Sequence, residues 1–264
     1  MNRVVTNESE KNVNMKEIKL PSIRPPGPIK IWKTIDGFKT IDGESKPIKI
    51  VLQEIPEDRY EDIVDYMATY FVIDEPCCES LNLKEDPVAV QELRNIWTII
   101  LNQGLSVGAF LVDPKGGKPE IVGVNIIGYE IKDDNRKLDN YKLQECLAKD
   151  LIDPVMKLSK EAKIYEHYNT DRYMFAFGLS VHPSYRGHKL GAHILSVREQ
   201  IGREYNIDVT ATIFSSTISQ KSAARCGFEV LLAKDYDQIL NEEGKEIFSG
   251  IKFKTFKVMG RRLY

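Results

Sequence analysis

The segment from Tyr173 to Val181 constrains the fold most strongly, because nearly all of its residues are apolar. A strand that is buried on both faces shows such a run, and strands of this kind lie inside a sheet that helices cover. A turn containing Gly187 and Gly191 follows, and an apolar stripe at helical spacing begins at Leu190. The segment therefore predicts a strand, a tight turn and a helix at the centre of an α/β sheet.

Strands and helices alternate on both sides of this central unit. Pro56 suits the first turn of a helix, and an apolar stripe from Tyr60 to Phe71 predicts that the helix continues to Glu75, where Pro76 stops it. The pattern also predicts helices near 88–102, 133–166 and 190–201, a short helix ending at Cys226, and strands near 48–52, 105–112, 121–129, 209–214, 228–232 and 253–258. The predicted fold class is α/β (α+β), a mixed central sheet with flanking helices in a single domain.

The first 45 residues differ from the rest of the chain. They are polar, and they contain four prolines, whose rings and missing N–H groups are unfavourable in helices and central strands. We predict that residues 1–45 form an N-terminal arm, partly disordered, and that residues 46–264 form the folded domain.

The composition argues against several classes of partner. The formal net charge is −2, so no overall positive charge favours nucleic acid or an anionic membrane. No apolar run approaches the roughly 20 residues of a membrane span, and the start of the chain lacks the apolar stretch of a secretion signal. The four cysteines form no CxxC pair and the four histidines no HExxH motif, so we expect reduced thiols, no metal and a cytoplasmic location.

The turn after the apolar strand has features of a phosphate-binding loop. Residues Arg186 to Gly191 lead from a buried strand into a helix start, where unpaired N–H groups and a partial positive charge can hold a pyrophosphate. Glycines in such a turn let the backbone approach the phosphates. On these grounds alone, an ordinary strand–helix turn is an equally good interpretation.

The same segment resembles the acetyl-CoA motif of the GCN5-related N-acetyltransferase (GNAT) superfamily, Gln/Arg-x-x-Gly-x-Gly/Ala. Arg186, Leu190 and Gly191 match, whereas Lys189 stands where the motif has its first glycine. Lys189 retains the backbone N–H donor of the motif's glycine, and its ammonium group could contact a phosphate. The substitution leaves the conformation of the turn open.

Two further blocks resemble the insect arylalkylamine N-acetyltransferases, a subfamily of the GNAT enzymes. Residues 214–219 and 225–228 are similar to its Ser-Ser-x-x-Ser segment and to the Gly-Phe that ends the following helix. Residues 70–76 are similar to its Phe-x-x-Asp-Glu-Pro sequence. The resemblance covers about residues 47–260, and it implies a GNAT fold and acetyl transfer from acetyl-CoA to an amine.

The resemblance implies catalytic roles for three residues. Glu75 would be the general base for an amine that is mostly protonated at neutral pH. Ser215 and Ser219 would relay protons or donate to the leaving thiolate. The structural alternatives are a solvated helix end at Glu75 and N-capping by the serines. The subfamily often has Tyr where this chain has Ile218, which leaves the proton donor to the thiolate open.

The other candidate residues bind the two substrates. We expect His182 in a structural, solvent-facing role, and Cys77 and Cys78 to be packing residues rather than acyl carriers. Tyr70, Phe71 and Tyr173 would bind the amine, because their rings offer contact area or cation–π attraction. The residues expected to bind acetyl-CoA are Leu179, Ser180, Val181, Arg186, Gly187, His188, Lys189, Leu190, Gly191 and Ser219.

The expected function is acyl transfer, with acetyl as the expected group, from acyl-CoA to a small arylalkylamine such as dopamine, tyramine or serotonin by direct attack. Agmatine or a polyamine is the second class of acceptor, because cation–π attraction also suits basic aliphatic amines. A protein N-terminal or lysine acetyltransferase and a CoA-binding regulatory protein without catalysis are further alternatives. The sequence leaves the amine, the acyl-chain length and the oligomeric state open.

Overall fold

One mixed sheet of eight strands organises the protein. The computed structural model describes residues 20–264, except positions 42, 43, 135, 137 and 188. The strand order is β1-β2-β3-β4-β5-β6-β8-β7, and every neighbouring pair is antiparallel except β5 and β6. The strands are β1 (Ile31–Ile41), β2 (Glu44–Glu54), β3 (Val107–Leu111), β4 (Glu120–Ile131), β5 (Arg172–Val181), β6 (Val209–Phe214), β7 (Glu229–Asp235) and β8 (Thr255–Arg262). The predicted mixed sheet is confirmed.

The helices connect and cover these strands. Those in the described part of the chain are α1 (Tyr60–Tyr66), α2 (Val72–Asp74), α3 (Pro76–Ser80), α4 (Pro87–Leu101), α5 (Leu147–Glu161), α6 (Ile164–Tyr168), α7 (Leu190–Ser196), α8 (Arg198–Tyr205) and α9 (Thr217–Arg225). A π-helical turn, Met67–Phe71, joins α1 to α2. None of the helices in the described residues is long and apolar enough to cross a membrane.

The prediction of one long helical region over residues 133–166 was wrong in its first part. The helix α5 begins only at Leu147, because Cys146 has an extended backbone. The carboxylate of Asp86 accepts a hydrogen bond from the Leu147 N–H at 3.1 Å and so supplies the cap that Cys146 does not provide.

Helices cover both faces of the sheet, as the apolar run in β5 predicts. On one face, Trp97 and Ile100 of α4 pack with Ile126 of β4. On the other face, Ile194 of α7 and Ile201 of α8 pack in the cluster that contains Leu52 and Val107. The central strand serves both layers, because Tyr173 belongs to the first cluster and Met174 to the second.

The structure differs from the predicted arm over its second half. Strand β1 pairs with β2 from Ile31–Gln53 to Ile41–Glu44. Upstream, the Lys30 N–H donates to the Glu54 carboxylate at 3.0 Å, and the Arg24 guanidinium lies 3.8 Å from the same group. Glu54 is only 1% exposed, so these contacts supply partners for a buried charge. The first 19 residues of the predicted arm lie outside the described residues.

Candidate active site

The site lies where strands β5 and β6 diverge. The two strands pair only between Met174 and Thr210, and threonine side chains then bridge the widening gap. The Thr210 hydroxyl donates to the Met174 carbonyl at 3.0 Å, and the Thr212 hydroxyl donates to the Ala176 carbonyl at 2.9 Å. Residues 179–181 pair with β4 on their other side. Their edge toward β6 is therefore free of strand pairing and can accept an extended ligand.

A bulge in β5 marks the start of this open edge. The register with β4 shifts between the pairs Asn125–Leu179 and Ile127–Ala176, so that two residues of β5, Phe177 and Gly178, lie opposite the single β4 residue Ile126. Gly178 has a φ of +108°, and a Cβ atom there would lie 2.7 Å from Met67 Cε. Side chains bind both bulge carbonyls, because Trp97 Nε1 donates to Phe177 O at 3.0 Å and Asn125 Nδ2 donates to Gly178 O at 2.8 Å.

A buried arginine fixes the base of the split. Arg198 is 1% exposed, and its guanidinium donates to Asn125 Oδ1 at 2.8 Å and to Thr210 Oγ1 at 3.1 Å. Burial lowers the pKa of Arg198 to about 10, so the group still carries its charge at neutral pH. Because Asn125 lies on β4 and Thr210 on β6, this arginine links the two strands that flank β5. The sequence analysis did not identify it.

The turn from Arg186 to Gly191, which we call the phosphate turn, follows β5 after a short 3-10 turn, Pro183–Tyr185. Gly187 has a φ of +83°, and Lys189, the N-cap of α7, has a φ of +60°. Lys189 thus adopts the left-handed conformation that a glycine would adopt easily, which costs an L-residue about 1–2 kcal/mol. Lys189 therefore adopts a backbone conformation that the motif's glycine could also adopt. The predicted site residue His188 lies outside the described residues.

Arg186 connects the phosphate turn to the end of α2. Its Nε donates to the Val181 carbonyl at 3.0 Å, and its guanidinium forms an ion pair with the Asp74 carboxylate. Both side chains are about half exposed, so the ion pair contributes little stability. The ion pair nevertheless holds the phosphate turn next to Asp74, the residue that precedes Glu75.

Glu75 lies at a break between two helices. Its extended backbone ends α2 and makes it the N-cap of α3, where its Oε2 accepts from the Cys78 N–H at 2.8 Å. The side chain is half-buried, so Glu75 is not merely a solvated helix end. Burial, and then the charge of Glu75, raise the pKa of the Cys77 and Cys78 thiols well above their ordinary range. Both thiols are therefore protonated at neutral pH, as suits packing residues.

A tyrosine that the sequence analysis missed joins α3, the helix that Glu75 caps, to the serine segment. Tyr236 follows β7, is 4% exposed, and donates from its hydroxyl to the Ser215 carbonyl at 2.6 Å. The Cys77 sulfur lies 3.6 Å from the same hydroxyl. The rings of Phe248 and Phe256 pack edge-on at 5.9 Å and fix the tyrosine ring. No sequence pattern around Tyr236 indicates this role. We call Glu75, Cys77, Tyr236 and Ser215 the catalytic corner.

The two candidate serines differ in their surroundings. Ser219 completes a capping box with Ser216, because its hydroxyl donates to Ser216 O at 2.9 Å and its N–H donates to Ser216 Oγ at 3.1 Å. The Ser215 hydroxyl has no hydrogen-bond partner among the described residues, so it is available to a ligand. Ile218 is 76% exposed on the outer side of α9.

Two of the three predicted amine-binding residues lie near the end of β5. The Tyr70 hydroxyl is 3.1 Å from His182 Nε2, and their rings are 4.7 Å apart. Phe71 packs edge-on against Trp97 at 5.9 Å. Tyr173 is 6% exposed and precedes Leu179 by six residues, about 20 Å along an extended strand. The structure therefore places Tyr173 at the other end of β5. It also shows His182 packed against Tyr70 rather than facing solvent alone.

The arrangement fits a coenzyme A thioester. The open edge of residues 179–181 would pair with the amide groups of its arm, and the phosphate turn would face its pyrophosphate. Gly191 leaves room over the strand end, because a Cβ atom there would meet only Leu179 at 3.6 Å and Val181 at 3.8 Å. Within the described part of the chain, no three His, Cys, Asp or Glu side chains are close enough to hold a metal ion.

The fold and the split strands define the class of protein: the chain has the GNAT fold. Its structure is similar to that of a yellow fever mosquito (Aedes aegypti) protein described as "putative arylalkylamine N-acetyltransferase 7", with 29% identity, a TM-score of 0.79, and coverage of 89% of this chain and 96% of that one. It also resembles arylalkylamine N-acetyltransferase 2 of Aedes aegypti, with 22% identity, a TM-score of 0.65, and coverage of 81% and 99%. The predicted resemblance to the insect arylalkylamine N-acetyltransferases is confirmed.

Other comparisons bear on the fold alone or found nothing. The Drosophila melanogaster polyamine N-acetyltransferase, which forms N-acetylagmatine, has 16% identity, a TM-score of 0.63, and coverage of 81% of this chain and 99% of that one. No protein-family model matches the chain. A search of curated proteins also found no match.

Proposed function

We infer that the chain is an acyl-CoA-dependent amine N-acetyltransferase, and we propose a small arylalkylamine such as dopamine, tyramine or serotonin as its acceptor. The observation that carries this proposal is the catalytic corner, where Tyr236 contacts both Ser215 and the α3 residue Cys77. An amine at this corner would meet a carboxylate on one side and a hydroxyl on the other. The 29% identity with the mosquito protein supports the arylalkylamine class.

Each residue would have one task in the reaction. The Glu75 carboxylate accepts a proton from the ammonium group, directly or through water, so that the nitrogen lone pair can attack the thioester carbon. Backbone N–H groups at the end of β5 hold the carbonyl oxygen as it gains negative charge. The carbon–sulfur bond then breaks, the attacking nitrogen gives its second proton to the departing thiolate, directly or through water, and the Ser215 hydroxyl donates a hydrogen bond to that sulfur. No acyl-enzyme is needed, which agrees with the protonated, buried thiols of Cys77 and Cys78.

Both backbone N–H groups and side chains would contact acetyl-CoA. The N–H groups of the phosphate turn face the pyrophosphate, and Lys189 adds an ammonium group at its rim. Arg186 would move little, since it already bridges Val181 and Asp74. The cytoplasmic location and the absence of nucleic-acid partners stay predictions from the sequence.

A thiol-release assay tests the proposal. Acetyl-CoA is supplied with tyramine, dopamine, serotonin, agmatine and spermidine, and kcat/KM is compared among them. We expect the aryl amines to be preferred. A strong preference for agmatine would contradict the proposed acceptor class, and absence of turnover with every amine would contradict the proposed activity.

A further inference from the structure

The end of β5 presents different side chains to its two faces. Leu179 and Val181 point toward α7, because a Cβ atom on Gly191 of that helix would meet both of them. Side chains alternate along a strand, and the N–H of His182 still donates to a carbonyl of β4, so His182 points to the opposite face. The helical segment from α1 to α2 covers that face and places Tyr70 against His182.

The hydrogen bonds of His182 fix which of its ring nitrogens carries hydrogen. The Ser184 N–H donates to His182 Nδ1 at 3.2 Å, so Nδ1 offers a lone pair. The neutral ring then carries its hydrogen on Nε2, which lies 3.1 Å from the Tyr70 hydroxyl oxygen. Nε2 is therefore the donor in this contact. The hydroxyl hydrogen of Tyr70 has no acceptor among the residues that the structure describes.

Tyr70 is held in one orientation beside the path that a donor substrate would follow. Its ring lies 4.9 Å from that of Tyr66 and 4.7 Å from that of His182, and the side chain is half-buried. Asp74 follows about one helical turn later and pairs with Arg186 of the phosphate turn. Because His182 lies in the chain between the open edge of β5 and the phosphate turn, the Tyr70 hydroxyl is beside the route that joins them.

We propose that Tyr70 donates its hydroxyl hydrogen to the pantetheine arm of coenzyme A, the chain between the thioester and the pyrophosphate, and that His182 positions this hydroxyl. The inference rests on the proposed function and adds a residue of the helical segment to the donor site. An arm that runs from the phosphate turn to the open edge passes His182. It carries amide carbonyl and hydroxyl oxygens, which can accept the hydrogen bond.

The direction of the hydrogen bond argues against the amine as the ligand of this hydroxyl, although the sequence suggested Tyr70 as an amine-binding residue. An ammonium group is only a donor, so it cannot accept the hydrogen of Tyr70. One lone pair of the tyrosine oxygen is already used by His182. The oxygens of the arm complement the hydroxyl, whereas an ammonium group would add a second donor.

A series of acyl donors tests this placement. S-acetylpantetheine keeps the arm without the nucleotide, whereas S-acetyl-N-acetylcysteamine lacks most of the arm. Tyr70→Phe keeps the ring and removes the hydroxyl, so kcat/KM for acetyl-CoA and S-acetylpantetheine should fall about fivefold, as for one hydrogen bond. The short donor should lose less than about twofold, as should all three donors in the matched control Tyr60→Phe, at the start of α1.

Two variants of His182 separate its contact with Tyr70 from its contact with the turn. Asparagine can still accept from the Ser184 N–H, but it is too short to reach Tyr70. Glutamine can place a side-chain N–H near the position of Nε2 and restore the donor. We expect His182→Asn to show the donor-dependent loss of Tyr70→Phe, and His182→Gln to stay within about twofold of the unmutated chain. The double variant Tyr70→Phe, His182→Asn should lose no more than Tyr70→Phe alone.

Equal losses with all three donors in Tyr70→Phe, or an unchanged donor profile in His182→Asn, would overturn the proposal. So would a raised KM for tyramine with an unchanged KM for acetyl-CoA, because the hydroxyl would then bind the amine.

Calorimetric titration with coenzyme A alone keeps this test separate from that of the proposed function. If the unmutated chain turned over no amine, but Tyr70→Phe weakened the binding of coenzyme A about fivefold, the function would fail and this inference would stand. If the unmutated chain bound no coenzyme A, both would be wrong.

Discussion

The phosphate turn and the catalytic corner are held in place in different ways. The turn is local, since it consists of six consecutive residues, of which Gly187 and Lys189 adopt left-handed conformations. The corner is assembled from three distant segments, and its central contact joins residues 21 positions apart, Ser215 and Tyr236. The turn depends on backbone conformation, whereas the corner depends on a buried side chain with two partners.

Because the two regions are held in place differently, we expect mutations in them to change different quantities. A change in the turn should affect acetyl-CoA affinity, and a change in the corner should affect kcat. Arg186 and Asp74 connect the two regions by an exposed ion pair only, so we expect the two effects to be nearly independent.

The largest effect on acetyl-CoA affinity is expected in the turn. Gly191→Trp should weaken acetyl-CoA binding by at least about tenfold, or about 1.4 kcal/mol, because the indole would cover Leu179 and Val181. Gly191→Ala is the matched control, since its Cβ would make only ordinary contacts at 3.6 and 3.8 Å. Calorimetric titration measures both. Unchanged affinity in Gly191→Trp would show that coenzyme A does not bind over this strand end.

A smaller effect is expected from Tyr236 of the corner, and it should appear in kcat rather than in affinity. Tyr236→Phe removes the hydrogen bond to Ser215, and a net loss of about 1 kcal/mol corresponds to roughly fivefold in kcat.

Tyr264→Phe is the matched control for this change. It also removes a tyrosine hydrogen bond to a backbone carbonyl, Gly202 O at 3.3 Å, but far from the corner. Thermal unfolding should show a smaller loss of stability for Tyr264→Phe, because that side chain is 43% exposed, while steady-state kinetics should show a loss of kcat only in Tyr236→Phe. Equal kinetics would mean that Tyr236 only stabilises the fold.

The smallest effect is expected at Lys189. Lys189→Gly should raise the free energy of unfolding by about 1 kcal/mol, because it relieves the left-handed conformation, whereas Lys189→Ala keeps that strain. Both should change the affinity for acetyl-CoA by less than about threefold if backbone N–H groups are the main donors. Denaturant unfolding and titration measure the two quantities. A loss above tenfold in both variants would assign the phosphate contact to the ammonium group instead.

The comparison also explains what the sequence can predict. The central strand, the turn and the helix after it have a local signal, the apolar run followed by glycines, and the structure contains all three elements. The helix break at Glu75 also has a local signal, Pro76, and the structure contains this break, whereas the role of Glu75 as general base stays a prediction. Tyr236, Arg198 and Asn125 have no local signal, because each acts through a partner that is distant in sequence.

The N-terminal segment is a second example of structure that the local sequence predicts only in part. Its prolines correctly disfavour helix, but they do not reveal that β1 pairs along β2, since strand pairing depends on the partner strand. The sequence likewise does not predict that the Glu54 carboxylate is buried, because the residues that contact it, Arg24 and Lys30, lie far from it along the chain.

The most direct test of the account is the kinetics of Glu75→Gln. Glutamine keeps an oxygen that can accept from the Cys78 N–H and so preserves the start of α3, but it cannot take a proton from the amine. We predict that kcat/KM for tyramine falls at least about tenfold, since general bases contribute roughly a hundred- to ten-thousand-fold. The affinity for acetyl-CoA should stay within about twofold, and Glu79→Gln, at an exposed position of the same helix, should behave like the unmutated chain. Near-normal turnover of tyramine by Glu75→Gln would contradict the assignment of the chemistry to this corner.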